Sequence, residues 1–128
     1  MLASESAFGA LLREYRVRIG LSQNLLARRA GIDPAYVNRL ERAPVDGAVP
    51  RRRVVLELAG ALELGPVDRE RLLVAAGLCP EAIARLGGWE PSLGLVASVL
   101  ADARLSADDR ADFRELLRIV TARWSPRA

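Results

Sequence analysis

Three consecutive arginines, Arg51 to Arg53, follow Pro50 where a helix should begin, with Val54-Val55-Leu56-Glu57-Leu58-Ala59 running on behind them. Proline suits a first helical turn. That turn is also the positive end of the helix dipole, where carboxylates are favoured over guanidinium groups, so cations placed there need an anion to make the placement worthwhile. The charge distribution points the same way. Residues 10–53 hold ten arginines against Glu14, Asp33, Glu41 and Asp46, a net +6, whereas the whole chain of 128 residues has a formal charge of +3. A basic half beside a mildly acidic one implies a polyanion-binding face and a different task for the rest.

The same inventory removes most catalytic chemistry. All 19 basic residues are arginine, and there is neither lysine nor histidine. Schiff bases, Ser-Lys catalysis, and Ser-His and Cys-His arrangements are therefore excluded, and no enzyme is expected. With one thiol and no imidazole, an ordinary zinc site cannot be assembled, and no metal and no cofactor is expected. Cys79, next to Pro80 and without a basic neighbour in sequence, reads as a small buried residue rather than a redox sensor. No apolar run approaches the ~18 to 20 residues needed to span a bilayer, and the opening "MLASESAFGALLREY" lacks the order of a signal peptide. The expected location is the cytoplasm, with no membrane partner.

The elements that must position these arginines are helical. Alternating strand patterns are absent, and 51% hydrophobic composition is ample for a packed core. Phe8, Leu11, Leu12, Tyr15 and Ile19 make one apolar stripe on a helix over about 5–19, ended by Gly20. Ser22 caps a short helix over 23–30, closed by Gly31. Asp33-Pro34 supplies an N-cap and first-turn proline for a helix reaching Arg42. Residues 43–50, "APVDGAVP", read as a loop. Helices follow over 51–63 and from Pro66 to about Gly77, then a short one over 81–86 and two more over 92–104 and 107–123. Ser106 with Asp109 resembles a capping box.

Two short helices separated by about three residues must cross steeply, which is helix-turn-helix geometry. In "QNLLARRAGIDPAYVNRLER", Leu26 and Ala30 point inward and Ala27 is small at the crossing. Gly31 can take a left-handed turn, and Ile32, Val37 and Leu40 complete a shared core. At this point the chain resembles the Cro/CI-repressor type of helix-turn-helix regulator, the XRE family, through "FGALLREYRVRIGLSQNLLARRAGIDPAYVNRLER" and "VLELAGALEL". The resemblance implies an all-α fold: a five-helix Cro/CI-type domain over residues 1–78, followed by a small C-terminal helical segment over 79–128.

It also implies double-stranded DNA as partner, read in the major groove by the helix at about 33–42. Asp33, Pro34, Ala35, Asn38 and Arg39 would then contact bases, with Asp33 a helix cap as well. Gln23, Tyr36, Arg42, Arg51, Arg52 and Arg53 would contact phosphates. Asparagine can pair with adenine N6 and N7, arginine with guanine O6 and N7, and Ala or Pro can touch a thymine methyl. In the family the segment entering the fourth helix runs beside the DNA backbone, which would give the arginine triplet its anion. This chain departs from the usual glycine after "ER" by having Ala43-Pro44, and from the usual Ser or Thr opening of that helix by having the arginines.

Residues 79–128 hold seven arginines against seven acidic residues and so form no second DNA face. Val96, Val99, Leu100 and Leu105, with Phe113, Leu116, Leu117, Val120 and Trp124, make two stripes able to close as a hairpin. Trp89 and Trp124 read as core or interface packing. Such a tail is expected to make a homodimer, since regulators of this kind read paired half-sites. The alternative is an antitoxin or adaptor whose tail binds a partner protein, with autoregulatory DNA binding.

Overall fold

The computed structural model describes the backbone of residues 2–42 and 50–125 and, in that span, the side chains from Phe8 onwards; it holds eight α-helices and no strand there. The expected all-α class is borne out. The loop expected at 43–50 lies, except for Pro50, outside the described residues.

The first unit runs to Gly87. Its core is built by α1 (Leu2–Arg18), α2 (Gln23–Ala30), α3 (Pro34–Arg42), α4 (Arg52–Ala61) and α5 (Pro66–Ala75). Helix α1 packs on α3 and α5, α2 on α3 and α4, and α4 on α5. Phe8, Leu12 and Tyr15 on α1 are buried, and they meet Leu26, Val37, Leu40, Val55, Leu58, Leu72 and Leu73 in one apolar cluster. Ile19 departs from the expected stripe and is 45% exposed. The helix ends at Arg18 and Gly20 turns the chain at φ 73°, so Ile19 leaves the helical register and Leu21 enters the core instead. At Gly9 the backbone of α1 passes so close to α3 that a Cβ would lie 2.6 Å from the Leu40 carbonyl oxygen and 2.9 Å from that of Glu41.

Residues beyond Cys79 remain fastened to this unit through α6 (Glu81–Ala84). The Glu70 carboxylate accepts the N–H groups of Glu81 at 2.9 Å and Ala82 at 3.0 Å. Arg52 donates to the Cys79 carbonyl and faces the Glu81 carboxylate at 3.4 Å. The chain therefore divides between Gly87 and Gly88, later than the boundary expected near Cys79. Cys79 is exposed, not buried, because the turn before α6 runs over the surface.

The second unit starts at Gly88 and holds α7 (Pro91–Leu100) and α8 (Ala107–Ala122). The capping box forms: Ser106 Oγ accepts the Asp109 N–H at 3.0 Å and Asp109 Oδ2 accepts the Ser106 N–H at 3.1 Å. Arg110 donates to the carbonyls of Leu100 at 3.0 Å and Asp102 at 2.7 Å, which closes the turn between the helices. Neither helix has a fully buried residue. Trp89 and Trp124, each 73% exposed, are not core residues. Among the described residues no helix is long and apolar enough to cross a membrane.

Candidate nucleic-acid interface

Local chemistry fixes the turn that presents α3. Ser22 Oγ accepts the Leu25 N–H at 3.0 Å and starts α2. Gly31 ends it in the left-handed region, φ 72°, and the Ile32 N–H folds back to the Ala27 carbonyl at 3.0 Å. A side chain at Gly31 would have no steric partner but would strain the backbone. Asp33 caps α3 as expected, its Oδ1 accepting the Ala35 N–H at 2.8 Å. Val37 and Leu40 go into the core beside Leu26, Ala27 and Ala30. Helical periodicity then turns Ala35, Asn38, Arg39 and Arg42 the other way.

That outer face is exposed at Asp33, Pro34, Ala35, Arg39 and Arg42, and half-buried at Tyr36 and Asn38. The Arg39 guanidinium lies 5.5 Å from the centre of the Tyr36 ring, near enough for a cation–π contact. Tyr36 itself packs on the core.

A polar network that sequence reasoning missed lies beneath this face. Arg16 grips Glu41 through Nε at 2.7 Å and Nη2 at 2.9 Å, and its Nη1 donates to the Leu21 carbonyl at 2.8 Å. Gln23 Nε2 donates to the same carboxylate at 3.0 Å. Asn38 Nδ2 in turn donates to Gln23 Oε1 at 3.1 Å, and Arg42 donates to Asn38 Oδ1 at 3.3 Å. Burial pushes the Glu41 carboxyl up, but hydrogen bonds from Arg16 and Gln23 and the charge of Arg16 outweigh it and hold it below its ordinary value of 4.5. The bond to Glu41 likewise raises the Arg16 guanidinium. The only available signal was an arginine near the end of one helix and a glutamate near the end of another, which sequence cannot pair.

Both ends of the Gln23 carboxamide are thus occupied by protein groups. Asn38 keeps one amide hydrogen and one oxygen lone pair, enough for a two-point contact with a base. The arginine triplet divides. Arg51 is the exposed N-cap residue of α4, without a side-chain cap bond, and Arg53 is exposed with a 3.8 Å approach to Glu57. Arg52, by contrast, is half-buried and engaged by the Cys79 carbonyl and the Glu81 carboxylate. Arg18 is similarly engaged, at 3.3 Å from Asp68 and over the Tyr15 ring. The arginine-rich half therefore carries a smaller free cationic surface than its count suggests. Among the described residues no group of three or more carboxylates or thiols is gathered to hold a metal.

A family model described as a helix-turn-helix domain matches residues 7–72, which span α2, the turn at Gly31 and α3. The chain belongs to the helix-turn-helix family. The XRE-type resemblance is borne out, and a helix-turn-helix protein of this kind is a DNA-binding regulator of transcription. The chain is also similar to the restriction-modification controller protein C.AhdI from Aeromonas hydrophila, with 38% identity over 52% of this chain and 97% of that one and a TM-score of 0.43. No curated protein matches the chain.

Proposed function

We propose that this helix-turn-helix protein acts in the cytoplasm as a sequence-specific regulator, reading the major groove of duplex DNA with α3 and binding as a dimer on paired half-sites. The observation that carries the reading is the outer face of α3, where Ala35, Asn38 and Arg39 project past a turn pinned by Gly31 and Asp33. Arg39 offers a fork to guanine O6 and N7, Asn38 a paired donor and acceptor to adenine, and Pro34 and Ala35 apolar contact to thymine methyl groups. Arg42, Arg51 and Arg53 lie exposed to meet phosphates, which position the helix without reading sequence. Gln23 supports Asn38 from below.

Selection of bound duplexes from a random pool tests this. The expected product is a consensus of two half-sites whose centres lie about one turn, ~34 Å, or a multiple of it apart. A pool that never departs from random sequence would overturn it.

A second reading, an adaptor or antitoxin whose tail binds another protein, is favoured by the exposed apolar side chains Leu116, Ile119 and Val120 on α8. It predicts a monomer in isolation, which sedimentation distinguishes from a dimer.

A further inference from the structure

Asp112, Leu116, Ile119, Val120 and Arg123 fall at i, i+4, i+7, i+8 and i+11 along α8 and its cap, and therefore share one face. Arg123 keeps helical backbone angles, φ −63° and ψ −35°, so the face is continuous to its end. The other apolar side of α8 is already in use. Arg110 closes the turn from α7, and Phe113 and Leu117, on the same side as Arg110, are half-buried. Leu116, Ile119 and Val120, by contrast, are 60%, 53% and 54% exposed.

The order along this second face is acid, three aliphatics, base. Reversed end for end, the order is complementary to itself. We propose that α8 pairs antiparallel with α8 of a second copy of this chain, about a two-fold axis between Leu117 and Arg118. Asp112 then faces the partner's Arg123, and Leu116 faces the partner's Ile119. A parallel pair would set Asp112 against Asp112 and Arg123 against Arg123, and like charges in apposition discriminate against it. Glu115 lies at the edge of this face, beside Ile119, but its charge is already met by Arg118 at 2.6 Å. Asp112 makes no ion pair among the described residues, and Arg123 only approaches its neighbour Trp124 at 5.4 Å. The contact spans about three helical turns, roughly 16 Å, so association in the micromolar range is expected rather than the tighter binding of larger interfaces.

The proposal rests on the dimeric reading above, and its test separates the two. The full chain, without DNA, is followed by sedimentation equilibrium at micromolar concentration as the parent, Asp112→Arg, Arg123→Glu and the double variant. Each single exchange should weaken dimerisation about tenfold, and the double exchange should restore it. Helix damage cannot mimic this, since the double variant carries both unfavourable end charges. All four proteins should bind a duplex with one half-site equally well. A dimer indifferent to the single exchanges would place the interface elsewhere, for example on the groove between α1 and α5 lined by Leu11, Val67 and Val74; this pairing would then fall while the dimeric regulator stood. A double variant that fails to recover would overturn the antiparallel register. A parent that sediments as a monomer would overturn both the pairing and the dimeric reading, and a partner protein would then be the occupant of this face.

Discussion

Arg16 and Glu41 join the C-terminal ends of α1 and α3 through two hydrogen bonds, 2.7 and 2.9 Å long, with side chains only 13% and 4% exposed. The pair does more than hold two helices. Glu41 also takes the Gln23 amide, and Gln23 takes that of Asn38, so the orientation of a base-facing residue is set from the core outward.

Removing one member should therefore cost more than a surface ion pair would. Arg16→Ala leaves a shielded carboxylate without its cation and should lower unfolding free energy by about 3 kcal/mol, read by urea denaturation. The pH dependence has a definite sign. Glu41 titrates lower in the folded protein than its ordinary 4.5, so its contribution is fully present above that pH and is lost as pH falls through the depressed folded value. Glu41→Gln should be less stable at pH 7 and lose less stability on acidification below about pH 4.5 than the parent.

Gly9→Ala tests the crossing of α1 over α3. In an exposed helix this change stabilises. Here the new methyl group meets the Leu40 and Glu41 carbonyl oxygens at 2.6 and 2.9 Å, and backbone on both sides must move. A loss of about 1 to 3 kcal/mol is expected from calorimetry.

Glu63 offers the opposite case. It sits at φ 56°, in the left-handed region after α4, where its N–H bonds to the Gly60 carbonyl and the next N–H, of Leu64, to that of Ala59. Its one ion pair among the described residues, with Arg29, is 4.0 Å long and exposed. Glu63→Gly should raise stability by about 0.5 to 1 kcal/mol, seen as a higher melting temperature.

Much of this was legible in the sequence because it is local. Ser22, Gly31, Asp33 and the Ser106–Asp109 box each act within a few residues, and all four stand where their residue types placed them. The inward set Leu26, Ala27, Ala30, Val37 and Leu40 followed from helical period. What could not be read depends on contacts between distant segments. Gly9 looks like a flaw in a helix until α3 lies against it. Arg52 looks like one of three equivalent cations until residues 79–81 return to it, and the same return moves the boundary past Cys79 and leaves that thiol exposed.

The arginine triplet can be divided by experiment in the same way. If Arg51 and Arg53 each neutralise a phosphate, replacing both with Ala should flatten the slope of log affinity against log salt by roughly 2, at about 0.9 per contact. Melting of the free protein should not fall, since two cations leave the positive end of α4. Arg52→Ala should do the reverse, leaving the slope in place and lowering the melting temperature.

The most direct test of DNA reading by α3 is the affinity of Asn38→Ala and Arg39→Ala for the duplex selected by the parent protein, measured at fixed salt alongside duplexes altered one base pair at a time. Each variant should lose about 1 to 3 kcal/mol on the selected site and relax its preference at one base pair, with little change elsewhere. Variants that bind the selected duplex as tightly as the parent, with its preferences intact at every position, would contradict the assignment of α3 as the reading helix.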